Sequence, residues 1–240
     1  MPASGLPVAF FDVDNTLLHG ASLHHLGKGA YRSGLIGRRD IAEAAWKAMR
    51  FTAVGENARH VERARARALQ LVNGRSAEEL TLLAEAVYER YTAPKVWPET
   101  LALAREHLAA GHAVWLVTTT PTFLARVIAQ RLGLSGALGT DLEVKAGVFT
   151  GELGAGVLHG AAKAAAAAAL AARLGTNLAD CWAYSDSAHD LPLLESVGHA
   201  VAVNPDSRLS ALANERQWRV LPLNRGSIAR ERRRIRRQGG

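Results

Sequence analysis

Two carboxylates, Asp12 and Asp14, stand at the end of the short apolar run PVAFFD, residues 7–12. A run of this length that contains Val and two Phe is typical of a buried strand. Carboxylates placed there can serve as nucleophiles, as general acids and bases, or as ligands of a hard cation. Because Asn15 and Thr16 are turn-forming residues, the sequence predicts an acidic loop directly after the first strand.

Three consecutive threonines occupy the same kind of position further along the chain. Thr118, Thr119 and Thr120 follow the apolar run AVWLV, residues 113–117, and precede Pro121. Their hydroxyls and backbone N–H groups can hold phosphate oxygens near the start of a helix. This segment is therefore a candidate phosphate-binding loop.

A lysine and two further carboxylates complete the set of polar groups. Lys163 lies in the first turn of an alanine-rich segment, where the helix dipole disfavours a cation, so the lysine needs another reason to be there. Asp186 and Asp190 follow the apolar run CWAY, residues 181–184. Carboxylates at that strand end can supply oxygen ligands for Mg²⁺ beside Asp12.

The elements that must position these side chains follow an α/β pattern. Continuous rather than alternating apolar runs are typical of parallel strands covered on both faces, and helical segments separate the later runs. Strands are predicted at residues 7–12, 113–117, 181–184 and 200–203, helices at 98–110, 121–132, 161–174 and 191–197, and a hairpin within 141–153. The sequence thus predicts a Rossmann-like, doubly wound parallel sheet, whose ligands bind beyond the carboxyl ends of the strands.

About 80 residues between the first and second strands interrupt this pattern. Residues 20–97 contain no convincing strand, and their apolar residues recur at helical spacing. Helices are predicted at residues 23–31, 41–51, 57–72 and from Ser76 to about residue 91. We therefore divide the chain into a core of residues 1–19 and 98–224 and an all-helical insertion of residues 20–97.

The positive charge of the chain is concentrated at its end. Residues 225–240 hold seven arginines and one glutamate, a net +6 of the total +7, which leaves +1 for residues 1–224. A terminal block of like charges is typically a solvated tail, and in some proteins it contacts anionic lipid or nucleic acid. We expect a flexible tail here and keep such a contact as an alternative.

The composition places the chain among ordinary globular proteins, with 48% hydrophobic and 21% charged residues. No segment approaches the roughly 20 apolar residues that span a bilayer, and the first ten residues lack the pattern of a signal peptide. The expectation is a cytoplasmic protein.

In combination, these segments resemble a known family. FDVDNTL, VTTTP, GAAKA and YSDSAHDLPLLESVGHAVAVNPD are similar to the four motifs of the haloacid dehalogenase superfamily, in its subfamily IB of phosphoserine-phosphatase-like hydrolases. The resemblance covers most of residues 7–221. It implies a Mg²⁺-dependent phosphatase that hydrolyses a phosphomonoester through an aspartyl-phosphate, with the helical insertion as a cap over the site.

The resemblance also implies roles for the catalytic residues. Asp12 would attack phosphorus, while Asp14 protonates the leaving oxygen and later deprotonates water. Thr118 and Lys163 would bind the non-bridging phosphoryl oxygens. Further candidates for contacts with the phosphate are Asn15, Thr119 and His189.

The implied metal site uses the same loops. Mg²⁺ would be held by Asp12, by the backbone carbonyl of Asp14 and by Asp186. Asp190 would orient either the metal shell or Lys163.

The chain departs from the family pattern at positions that bear on the substrate. Ala21 stands where phosphoserine phosphatases carry a glutamate that holds the substrate ammonium, and His189 replaces an asparagine. Thr118 and Thr119 replace a serine and a small residue. We therefore expect a small or amphiphilic phosphorylated metabolite, such as a lysophospholipid-like compound, rather than phosphoserine.

Two other functions stay open. A phosphotransferase would use the same intermediate, and a binding protein would use its Arg-rich tail to reach a membrane or a nucleic acid. Two further groups of residues have alternative roles. Arg63, Arg65 and Arg67 of the insertion are either a solvated helix face or contacts for a substrate carboxylate or second phosphate. The histidines just after the first motif, His19, His24 and His25, either line the entrance of the cap or are surface or satisfied core residues.

Overall fold

The computed structural model describes residues 5–32, 34, 37 and 72–238 of the 240-residue chain. Within this part a parallel sheet has the order β3-β2-β1-β6-β7-β8, and β4 and β5 form an antiparallel hairpin. The strands are β1 Val8–Phe11, β2 Ala113–Pro121, β3 Gly136–Thr140, β4 Leu142–Lys145, β5 Val148–Leu153, β6 Trp182–Ser185, β7 His199–Val203 and β8 Arg219–Leu221.

Helices cover both faces of the sheet, which confirms the predicted fold class. The described helices are α1 Ser22–Arg32, α2 Ala77–Val87, α3 Pro98–Ala109, α4 Thr122–Leu132, α5 Ala161–Arg173, α6 Leu191–Ser196, α7 Ser207–Glu215 and α8 Arg225–Gln238. Alternate residues of β1 belong to separate apolar clusters. Phe11 lies in the cluster that contains Leu124 of α4, and Phe10 lies in the cluster that contains Leu170 of α5. Within the described residues, no helix has the length and apolar character needed to cross a bilayer.

Strand β1 lies at the centre of the sheet and sets the register. Its Phe11 is level with Leu116 of β2 and with Tyr184 of β6, and all three strands run parallel. The loops that follow Phe11 and Tyr184, and the end of β2, therefore meet at the same edge of the sheet. This is the edge that the sequence predicts for the site.

The predicted hairpin is present. Ala146 and Gly147 form its turn with φ of 51° and 79°. Two positive φ values are what a two-residue turn needs to match the twist of the flanking strands. The hairpin also contacts the insertion, since the N–H of Ala77 donates to the carbonyl of Gly147 at 2.9 Å.

Two strands of the sheet escaped the sequence prediction. Strand β3, with the sequence GALGT, has two glycines and little β-branched content, and β8 has only three residues. Strands β3 and β8 are the two edge strands, and each owes its conformation to pairing with its neighbour rather than to local preference. Strand β2 was predicted but is longer than expected, since it extends through the threonines to Pro121.

The prediction that residues 225–240 form a flexible tail stays a prediction. In the structure, residues 225–238 form α8, and Ser227 is buried with its hydroxyl donating to Oε2 of Glu99 on α3 at 3.0 Å. Ile228 lines a cavity of about 620 Å³, whose other walls come from α3 and from parts of residues 88–96. Arginine is a good helix former, and the side chain of Arg234 also pairs with Glu231 one turn earlier.

The insertion leaves and re-enters the core along two adjacent segments. The N–H of Trp97 donates to the carbonyl of Leu17 at 2.9 Å, and that of His19 donates to the carbonyl of Lys95 at 2.7 Å. Helices α1 and α2 and a π-helical turn Tyr88–Thr92 belong to the insertion. The predicted helix at 41–51, almost all of the one at 57–72, and Arg63, Arg65 and Arg67 lie outside the described residues. The boundaries of the core and the insertion stay a prediction.

Candidate active site

A tight turn follows β1 and fixes the acidic loop. The N–H groups of Leu17 and Leu18 both donate to the carbonyl of Val13, at 3.0 and 2.9 Å. Asn15 adopts a φ of 61°, and its side-chain oxygen accepts the N–H of Gly20 at 3.1 Å. Asn15 is exposed and closes this turn, and its predicted contact with phosphate stays a prediction.

Lys163 lies between two carboxylates. Its ammonium donates to Oδ1 of Asp12 at 2.6 Å and to Oδ2 of Asp190 at 2.7 Å. All three side chains are less than 10% exposed. The two ion pairs account for a lysine in the first turn of α5, where the helix dipole alone would disfavour it.

Burial and charge shift the pKa values of this cluster. The pKa of Asp12 is raised to about 7. Burial is the largest cause and the charge of Asp190 adds to it, whereas the ammonium of Lys163 acts in the opposite direction. Burial alone would lower the pKa of Lys163, but the adjacent carboxylates of Asp12 and Asp190 hold it above its ordinary value. The lysine is therefore charged at neutral pH, and the cluster carries more negative than positive charge when both carboxylates are ionised.

The loop after β6 supplies Asp186 and Asp190. Burial raises the pKa of Asp186 to about 6, and Thr16 donates to its Oδ1 at 3.5 Å. Ser185 donates to Oδ2 of Asp190 at 2.7 Å. The sequence analysis did not predict a role for Ser185. Its position directly before Asp186 is the sequence feature that could have indicated one.

The residues present fit a bound Mg²⁺. The described residues contain no group of three or more His, Cys, Asp or Glu side chains placed as metal ligands. Mg²⁺ commonly takes only one or two carboxylates and keeps several waters, which suits Asp12, Asp186 and the carbonyl of Asp14. Two carboxylates whose pKa values burial has raised also carry charge that a divalent cation would offset.

The contacts of Asp190 favour one of its two predicted roles. Its Oδ2 accepts hydrogen bonds from both Lys163 and Ser185. A carboxylate oxygen used in this way orients the lysine. The predicted contact of Asp190 with a metal shell remains a prediction.

The threonines at the end of β2 have different surroundings. Thr118 is fully buried, and its Oγ1 accepts the N–H of Thr120 at 3.1 Å, which leaves its own hydroxyl proton to be donated. The carbonyl of Thr119 accepts the hydroxyl of Thr140 at 2.7 Å. Both threonines lie at the edge of the sheet where the site is predicted. Their contacts with phosphate stay a prediction.

A hydrogen-bonded link between the insertion and the core was also missed. The backbone N–H of Ser22, the first residue of α1, donates to Oδ1 of Asp14 at 2.8 Å. The hydroxyl of Ser22 lies 2.8 Å from that of Thr120, and both are buried. Thr120 belongs to the VTTTP segment, but nothing in the sequence connects it to Ser22, which lies 98 positions away.

Two exposed histidines flank the start of α5. The ring of His189 lies 5.0 Å from that of His159, measured between centroids. The carbonyl of His189 lies close to Gly160, whose φ is 53°. The predicted contact of His189 with phosphate stays a prediction.

Comparison with known proteins identifies the family. The model of the haloacid dehalogenase-like hydrolase family matches residues 9–195, and the chain belongs to this family. It is 48% identical over 213 residues to phosphoserine phosphatase SerB1 of Mycobacterium tuberculosis strain H37Rv, an alignment that covers 88% of this chain and 69% of that protein.

Solved structures agree on the fold. A protein of unknown function from Bordetella pertussis Tohama I has a TM-score of 0.74 and 29% identity, with 91% of this chain and 99% of that chain covered. A phospho-aspartyl intermediate analogue of phosphoserine phosphatase has a TM-score of 0.60 and 21% identity, with 92% and 95% covered. The predicted superfamily and fold class are confirmed.

Proposed function

We propose that this protein is a Mg²⁺-dependent phosphatase that hydrolyses a phosphomonoester through a phosphorylated Asp12. The observation that carries the proposal is the buried cluster in which Lys163 contacts both Asp12 and Asp190. A buried lysine beside a carboxylate nucleophile lets an anionic phosphoryl group approach, because its charge offsets that of the carboxylate. The phosphatase activity named for the mycobacterial relative supports the same class of reaction.

In the first step, an oxygen of Asp12 attacks phosphorus and the bond to the leaving oxygen breaks. Oδ1 of Asp12 accepts the hydrogen bond from Lys163, so Oδ2 is the oxygen proposed to attack. Asp14 gives its proton to the leaving oxygen, which departs as an alcohol. Lys163 and Thr118 donate hydrogen bonds to the non-bridging oxygens.

In the second step, Asp14 takes a proton from a water molecule, whose oxygen attacks the phosphorus of the aspartyl-phosphate. The bond between phosphorus and the Asp12 oxygen breaks, which releases inorganic phosphate and restores the carboxylate. The hydrogen bond from Ser22 holds Asp14 in place, and closure of the insertion over the site would exclude bulk water. Mg²⁺, when bound by Asp12, Asp186 and the carbonyl of Asp14, would supply positive charge that neutralises the phosphoryl oxygens.

The substrate is proposed to be a phosphomonoester other than phosphoserine. Ala21 is exposed and has no carboxylate with which to hold an ammonium group. Phosphoserine is the second candidate, because it is the substrate in the name of the relative that is 48% identical. Transfer of the phosphoryl group to an alcohol instead of water uses the same first step and stays an alternative.

The test is phosphate release from a panel of phosphomonoesters with Mg²⁺, including phosphoserine and lysophospholipids. We expect Asp12→Asn to lower turnover at least about 10³-fold, as removal of a nucleophile does in other enzymes. Asp180→Asn is the matched control, because Asp180 lies in a separate 3-10 turn, Leu178–Asp180. An Asp12→Asn protein as active as Asp180→Asn would refute the proposal, and phosphoserine as the best substrate would overturn the substrate class alone.

A further inference from the structure

A second cavity, of about 440 Å³, lies beside the segments that join the insertion to the core. We call it the basic pocket. Its walls come from residues 19–21, from one face of α1 and from residues 90–95. It shares no residue with the cluster of Asp12, Lys163 and Asp190.

The basic pocket is lined by cations from two segments of the chain. Lys28 and Arg32 come from α1, and Arg90 and Lys95 come from the segment that returns to the core. No Asp or Glu of the described chain lines the cavity, and none of these four side chains forms an ion pair with a described residue. Arg90 does lie over the ring of Tyr91, 5.7 Å from its centroid.

Along α1 the basic side chains form a stripe. His24, Lys28 and Arg32 are spaced four residues apart and are all exposed, so they lie on one face of the helix. Lys28 and Arg32, four residues apart, repel each other across one turn of the helix. Arg90 and Lys95 add to the same positive potential, which a bound anion would relieve.

Two imidazoles that line the pocket have lowered pKa values. Burial lowers the pKa of His25, and the charge of Lys95 lowers it further. Burial also lowers the pKa of His19, to which the charges of Arg225 and Lys95 add. Nε2 of His25 lies 2.9 Å from the carbonyl oxygen of His19, and this contact holds the ring of His25 against the backbone of His19.

We propose that the basic pocket is a second binding site, for a small free polyanion that carries two or more phosphate groups. The volume lies within the range of small-molecule sites, roughly 300–1,000 Å³, and exceeds what a single phosphate needs. Cations from two segments of the chain suit separate phosphate groups of one ligand. The proposal does not rest on the phosphatase reaction, because no residue that lines the pocket takes part in the two steps proposed for it.

The experiment uses the full chain, inorganic pyrophosphate as the probe, and NMR of the histidine rings in Mg²⁺-free buffer. His19, His24 and His25 report the basic pocket, whereas His159 and His189 report the neighbourhood of Lys163; single His→Gln variants assign the signals. We expect saturable shifts of the three pocket signals, because a bound anion would change the surroundings of all three rings.

A paired substitution provides the decisive comparison. Lys28→Gln with Arg90→Gln should weaken pyrophosphate binding at the pocket signals about tenfold, since each charge contact at a partly exposed site contributes up to about 1 kcal/mol. Lys145→Gln with Arg208→Gln removes the same charge elsewhere and should leave binding unchanged. Pyrophosphate that shifts only His159 and His189, or that binds both double variants equally, would overturn the proposal. So would binding to phosphatidylserine vesicles through Lys28 and Arg90 without any binding of free pyrophosphate.

Discussion

The backbone N–H of Ser22 donates to Oδ1 of Asp14 at 2.8 Å, so the first residue of the insertion's first helix holds the proposed general acid and base. The donor is the peptide group rather than the side chain. Its contribution can therefore be separated from that of the Ser22 hydroxyl, which contacts Thr120.

Ser22→Pro should slow phosphatase turnover about tenfold, because proline lacks the N–H that orients Asp14, and a hydrogen bond to a charged group contributes about 1.5–3 kcal/mol. Proline is tolerated in the first turn of a helix, where Ser22 lies. Ser22→Ala keeps the N–H and loses only the hydroxyl contact. Steady-state kinetics should show a much smaller loss for Ser22→Ala, and equal losses in the two variants would contradict the role of the backbone donor.

Lys163→Met should lower the free energy of unfolding by about 3 kcal/mol at pH 7, because it leaves the buried carboxylates of Asp12 and Asp190 without their cation. Urea denaturation in Mg²⁺-free buffer measures this change. The loss should shrink at pH 5, because Asp12, whose pKa burial raises to about 7, is then largely protonated and leaves less buried charge without a cation. Lys28→Met, at an exposed lysine, should change stability by no more than about 0.5 kcal/mol, and an equal effect in both variants would count against the buried ion pairs.

Mg²⁺ should stabilise the folded protein, by about 1.4 kcal/mol at ten times its dissociation constant, because only the folded state assembles the site. Asp186→Asn should abolish this stabilisation, whereas Asp180→Asn should retain it. Burial raises the pKa of Asp186 to about 6, so protons should compete with the metal as the pH falls through this value. Thermal denaturation with and without Mg²⁺ at pH 7.5 and pH 5.5 checks both points; Mg²⁺ stabilisation of Asp186→Asn at the wild-type level would exclude Asp186 as a ligand.

His107 of α3 should also make stability depend on pH. Its Nε2 lies 2.8 Å from the hydroxyl of Tyr184 and its Nδ1 lies 2.9 Å from Nδ1 of His112. Burial, with smaller contributions from the charges of His112 and His199, lowers its pKa from 6.5 to about 4. The unfolded chain thus binds the proton first, so this contribution is complete above pH 6.5 and is lost as the pH falls towards 4.

The measurement is urea denaturation of the wild type and His107→Gln at pH 7 and pH 5. The stability advantage of the wild type should fall by roughly 1–2 kcal/mol between these values, after allowance for solvent screening. A difference between the two proteins that stays constant with pH would show that His107 does not titrate in this way.

Removal of residues 225–240 should destabilise the core by about 1–2 kcal/mol, because Ser227 of α8 is hydrogen-bonded to Glu99 of α3 and Ile228 lines the cavity beside them. Phosphate release per folded molecule should be unchanged, since α8 contributes no residue to the cluster around Lys163. Ile228→Ala should reproduce most of the destabilisation, and Arg233→Ala, at an exposed position, should not. A truncated chain as stable as the full one would argue for the solvated tail that the sequence suggests.

Much of the site was predictable because its residues follow the strands of a parallel sheet. Asp12 and Asp186 each follow an apolar run, and the register of β1 with β6 brings those strand ends to one edge. Lys163 was predictable for a different reason, since a cation in the first turn of a helix is locally unfavourable and therefore indicates a partner elsewhere.

The sequence by itself determined the α/β class and the residue types of the cluster, because apolar periodicity and strand-end motifs are local signals. Only the tertiary structure decided that Lys163 contacts both Asp12 and Asp190, that the N–H of Ser22 contacts Asp14 and that residues 225–238 form a helix against α3. Those contacts join segments far apart in the chain. Their strength depends on burial and on which partner the fold supplies, and neither can be calculated from spacing along one sequence.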